Sequence, residues 1–165
     1  MVDQITIQTL GVLVTALGVL IGVAYYIVSI RNQVQTRQAQ LFMNLYNVIQ
    51  NKEFYKRLLE QITTWEYKDY DDFEAKYGAE TNPEENTYWH LNVNFMESVS
   101  ILVNRGLVPI ELVHAWLGNY PILHWEKYRP YVMGLRVRLF PGAFVENERF
   151  YNRLVEYRRR HPPTR

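Results

Sequence analysis

The sequence predicts an all-α protein in which one N-terminal transmembrane helix continues into a cytosolic bundle of about five to six helices. Three observations predict this class. No charge lies between Asp3 and Arg31. Downstream, apolar residues recur at helical spacing, and no segment shows the clean alternation of a strand or an internal repeat. Gly and Pro then punctuate the chain where helices would end, at Gly78, Gly106, Gly118 and Phe140-Pro141-Gly142.

The first element is the apolar stretch of residues 5–30, preceded by a short outer segment of residues 1–4. A hydrocarbon core of about 30 Å needs about 20 mostly apolar helical residues, and this stretch supplies them. A secretory signal would carry a basic n-region, whereas this chain opens on Met-Val-Asp-Gln. A buried core helix would show a polar face, yet between Leu10 and Ile30 the polar side chains are Thr15, Ser29 and the hydroxyls of Tyr25 and Tyr26. Arg31 and Arg37 follow the stretch and no Lys or Arg precedes it, which places residues 31–160 in the cytoplasm and the N-terminus outside. Tyr25 and Tyr26 fall at the expected inner boundary, where amphipathic rings lie. The membrane would be the cell membrane, crossed once.

Gly11, Thr15, Gly18 and Gly22 follow one another at steps of four, three and four, with Ser29 seven residues on, so they share one helical stripe. Gly18 and Gly22 form a GxxxG pair, which lets two backbones approach closely. The stripe therefore reads as a packing face for a second copy of the chain or for another membrane protein. The ordinary alternative is that glycine is simply common in spans.

About 135 residues follow the anchor, enough for one domain with its own core. The chain has no cysteine, so disulfides and thiolate metal sites are excluded. Its net charge of +1 conceals a division. Residues 66–97 carry nine acids against Lys68 and Lys76, while residues 127–165 carry ten Lys or Arg against three Glu. The basic end, with Arg158, Arg159 and Arg160 in its last turn, and the flanking Arg31 and Arg37 are candidate contacts for anionic lipid. A solvated basic surface is the plainer account. No nucleic-acid partner is expected from so even a balance.

Residues 31–50 are good helix formers and extend the first helix, and its apolar set Leu41, Phe42, Leu45, Val48 and Ile49 starts the soluble core. Asn51 caps the next helix, with Phe54, Leu58 and Ile62 on one face. Tyr67 to Tyr77 is a short acidic helix stopped by Gly78. After a loop, a central helix starts near Glu84 and runs to Gly106, with Trp89, Val93, Met96, Val99 and Val103 as its core face and Leu91, Phe95 and Leu102 widening it. Pro109 to Leu117 is a short helix closed by Gly118. Residues 122–139 are helical in pattern, but Pro130 should break or kink them near Tyr128. A last amphipathic helix from Asn147 to Arg159 turns Phe150, Leu154 and Tyr157 to one side, and residues 161–165 form a disordered tail.

Phe95-Met96-Glu97-Ser98, Leu102-Val103, Arg105-Gly106-Leu107, His124-Trp125-Glu126-Lys127, Gln38 to Phe42 and Asp71-Asp72-Phe73, together with the N-terminal span, resemble the membrane-anchored helical family known as domain of unknown function 4760. The likeness covers nearly the whole chain. It implies an all-helical cytosolic domain on one anchor and brings no established reaction.

Candidate chemistry is sparse. Glu97, Glu111, His114 and His124, with His90 beside them, are the candidate metal ligands. Glu111 and His114 form an ExxH step, but carboxylate-bridged metal bundles use two such pairs. Glu97 and His90 are seven residues apart and share a helical face, and a Glu97 paired with Arg105 or a histidine is the more ordinary reading. Ser98 and Ser100 sit in an apolar helix without a nucleophile elbow, and no phosphate loop occurs. Trp116, Tyr120, Trp125 and Tyr128 could line a cleft but read first as core. No catalytic residue or cofactor is expected. A membrane-anchored scaffold or accessory subunit is the leading reading, and a sensor or metal-binding enzyme is the alternative.

Overall fold

The computed structural model describes residues 4–162, with side chains from residue 8 onward. The first residues of the expected outer segment and the end of the expected disordered tail lie outside the described residues. Seven helices and no strand are found among the described residues: α1 (Gln4–Ile49), α2 (Lys52–Thr63), α3 (Tyr70–Tyr77), α4 (Pro83–Asn104), α5 (Ile110–Leu117), α6 (Tyr120–Arg138) and α7 (Val145–Arg160). The chain divides into one unit up to Gln40 and a second from Leu41 onward.

The second unit is organised around α4. Trp89, Val93, Met96, Val99 and Val103 are all 1 % exposed or less, and burying each such side chain stabilises the fold by roughly 1.5–3 kcal/mol. Toward its C-terminal end, α4 packs in one cluster with Leu45 and Ile49 of α1, Leu58 of α2, Val113 of α5, and Phe150 and Leu154 of α7. Toward its N-terminal end it packs in a second cluster with Trp65, Phe73 of α3, and Trp125, Tyr128, Tyr131, Val132 and Leu135 of α6. The aromatic side chains of the Trp116 to Tyr128 stretch are used in these two clusters, Trp125 and Tyr128 fully buried and Trp116 and Tyr120 partly so.

Local signals set several helix ends. Asn51 accepts the backbone N–H of Phe54 at 3.0 Å and caps α2. Gly106 ends α4 at φ 69° and Gly118 ends α5 at φ 56°, conformations that favour glycine.

Three expectations need correction. The short acidic helix starts at Tyr70 rather than Tyr67, because Asp69 caps it by accepting the N–H of Asp72 at 3.0 Å. Gly78 stops it with an extended backbone; what excludes a side chain there is the Glu74 carbonyl, 2.4 Å from where a Cβ would lie. Leu91 does not widen the core face of α4 but is 50 % exposed. Pro130 does not end its helix, since α6 runs through it to Arg138. Pro130 and Glu126 are both exposed, so the Glu126 carbonyl that lacks a helical donor lies on the water side.

Candidate functional site

Within residues 8–40, the large apolar side chains from Leu10 to Ile30 are all exposed, from 42 % at Ile30 to 75 % at Tyr25. A surface helix of a water-soluble protein turns such groups toward a core. By length and composition, α1 is long and apolar enough to cross a membrane.

The small residues give this helix a distinct face. A Cβ placed on Gly11, Gly18 or Gly22 would meet nothing within 4 Å, so the stripe is open. Gly11, Thr15 and Ala16 line a groove with Gln8 and Val12. The Thr15 hydroxyl donates to the Gly11 carbonyl at 2.8 Å, which satisfies it inside its own helix as an apolar medium demands. Such a face lets another helix approach closely.

The candidate metal ligands are not gathered at one site, although His90 and Glu97 of α4 border the same cavity. Among the described residues no group of three or more His, Asp, Glu or Cys could hold a metal ion. Glu111 is exposed on α5, and His114 packs its ring against Tyr157, 5.5 Å between centroids. His124 is fully buried on α6, its Nδ1 3.4 Å from Asn147 Nδ2. Burial pushes its pKa down to about 3, so the ring is neutral.

Glu97 has different partners from those expected. It is neither paired with Arg105 nor bound to a histidine. Its carboxylate accepts the backbone N–H groups of Glu146 at 3.3 Å and Asn147 at 2.8 Å. Burial raises its pKa above the ordinary carboxylate value, against the lowering effect of those two N–H groups.

Sequence reading missed a chain of buried amides. Asn92 of α4 donates to Gln61 of α2 at 2.9 Å and accepts from the Tyr120 hydroxyl at 2.8 Å. Gln61, Asn92 and Asn147 are each 2 % exposed or less. Asn92 lies three residues after Trp89 and four before Met96, so its place on the core stripe was the available signal. Asn92 is bonded through both its amide nitrogen and its oxygen, whereas Gln61 Nε2 and Asn147 Oδ1 are buried without a partner; the bonds from Asn92 to two other helices help fix which helix faces meet.

Two of the candidate basic residues are engaged within the fold. Arg159 and Arg160 both pair with Glu156 of their own helix, at 3.0 and 2.7 Å. Arg138 pairs with Asp71, so the basic and acidic stretches of the chain meet in the fold. Exposed pairs of this kind contribute little stability, about 0–1 kcal/mol each.

The model of a family described as Domain of unknown function (DUF4760) matches residues 5–157. The chain belongs to this family. No curated protein and no solved structure matches it.

Proposed function

We propose that this member of the family is a single-pass membrane protein, with its N-terminus outside and its helical domain in the cytoplasm, acting as a scaffold or accessory subunit. It associates with a second copy or another membrane protein through Gly11, Thr15, Gly18 and Gly22. The cytosolic domain then presents its surface to a partner, and the basic residues near the bilayer add contact with anionic lipid.

One observation carries the reading: a helix with every large apolar side chain from Leu10 to Ile30 exposed also bears an open stripe of small residues. A bilayer covers the first feature, and a second helix packed against the stripe covers the other.

The test is the native mass of the full chain extracted from its own membrane in mild detergent, with every co-purifying chain identified. Wild type is expected as a multimer or a hetero-complex with an uncleaved N-terminus. The double variant Gly18→Leu with Gly22→Leu is expected to lose the association while keeping its helical content and melting temperature. An unchanged mass in that variant would overturn the packing role, and a chain cleaved near residue 30 would make the apolar helix a signal sequence.

A further inference from the structure

Glu97 also borders a cavity of about 500 Å³ that lies between α4, the second half of α6 and the turn joining α6 to α7. This volume is within the range of small-molecule sites, about 300–1,000 Å³. His90 and Glu97 of α4, Tyr131 and Leu135 of α6, and Phe140 and Phe144 of the turn are among its walls.

The charge of the lining is one-sided. It contains the Glu97 carboxylate and neither Lys nor Arg. The neighbouring Arg136 is not among the walls: it donates to the Ala143 carbonyl at 2.8 Å and to Glu148 at 2.5 Å, and its charge is the weakest of the influences on the Glu97 carboxyl. His90 adds no positive charge near neutrality, because burial lowers its pKa. The Glu97 carboxylate is held in place by two backbone N–H groups, and a carboxylate has about four acceptor positions, so two remain for a ligand.

The remaining walls are apolar and aromatic. Phe140 is 64 % exposed at the turn, a large ring left in water. Phe144 takes a left-handed backbone, φ 51° and ψ 34°, which side chains other than Asn and Asp rarely adopt. Its ring meets Trp89 edge to face, with centroids 6.3 Å apart. A strained residue on a cavity wall, kept there by packing, is typical of a binding site.

We propose that this cavity binds a small alkylammonium group, with Glu97 as its counter-ion and the rings of Tyr131, Phe140 and Phe144 as its walls. A cation bearing apolar substituents satisfies both features, since it pairs with the carboxylate and is attracted to ring faces. An anion would be repelled by Glu97, and a neutral hydrocarbon would gain nothing from the charge of the carboxylate. The ammonium can come from a soluble amine or from a lipid headgroup.

The test uses the full chain in a maltoside detergent, titrated calorimetrically with choline and with its uncharged isostere 3,3-dimethylbutan-1-ol. Choline is expected to saturate, with the isostere about tenfold weaker or more. Glu97→Gln is expected to lose about tenfold in choline affinity. Phe140→Ala, at an exposed position that should not affect folding, is expected to lose severalfold. Equal binding of choline and isostere, no saturation by choline, or full affinity in Phe140→Ala would each overturn the assignment. Repeating the titration in phosphatidylcholine and phosphatidylglycerol nanodiscs separates the sources. Weakened choline binding only in phosphatidylcholine supports a headgroup occupant, and equal binding in both supports a soluble amine.

Discussion

The carboxylate of Glu97, in the middle of α4, accepts the backbone N–H of Asn147 in the first turn of α7 at 2.8 Å, across a separation of 50 residues. Helix α7 has no cap of its own, because Phe144 precedes it in a left-handed conformation and makes no side-chain cap bond. Glu97 therefore does for α7 what Asn51 does for α2, from a distant part of the chain, and ties the central helix to the last one.

Removing that carboxylate should loosen the join. Glu97→Ala is expected to cost about 1–3 kcal/mol of unfolding free energy, the penalty for leaving buried N–H groups without an acceptor. The pH dependence has a definite sign. Burial raises the folded pKa above the ordinary 4.5, so the contribution of Glu97 is fullest below that value and declines as pH rises through the folded pKa. Denaturant unfolding at about pH 4 and about pH 7 should show the advantage of wild type over Glu97→Gln narrowing toward neutrality. An advantage that widens with pH would contradict this account.

His124 acts in the opposite direction. Its folded pKa of about 3 lies below the ordinary 6.5, so the unfolded chain binds the proton more tightly. Stability is full above 6.5 and falls as the solution is acidified toward 3, with a slope of up to about 1.4 kcal/mol per pH unit. His124→Gln should flatten this part of the profile, read from melting temperatures across the same range.

Gly134 is required by close approach. A Cβ there would lie 2.4 Å from the Cβ of Tyr70, whose ring stacks on Tyr131 at 5.1 Å between centroids. Alanine is the better helix former by about 1 kcal/mol. Even so, Gly134→Ala should destabilise the fold by about 1–3 kcal/mol, because α3 has to move off α6. A raised melting temperature in this variant would show that the two helices separate freely.

Pro130 is the reverse case, a residue that α6 tolerates rather than needs. Pro130→Ala restores a backbone donor in the middle of the helix, at an exposed position where no packing is lost. The variant should be more stable by roughly 1 kcal/mol, less than the full propensity difference of about 3 because the surroundings already accommodate the ring. Thermal unfolding followed by circular dichroism measures it.

The sequence by itself determined the helical class, the apolar first helix with its small-residue stripe, the core face of α4, and the ends at Asn51, Gly106 and Gly118. These depend on neighbours within about four positions, where periodicity, capping and glycine geometry act. Only the tertiary structure decided the rest. It gave Glu97 to the start of α7, joined Asn92 to Gln61 and Tyr120, let α6 continue through Pro130, and brought Gly134 against Tyr70. Each of these pairs residues far apart in the chain or depends on which side of a helix faces water. A local pattern carries neither kind of information, because partner and exposure are set only when the helices pack.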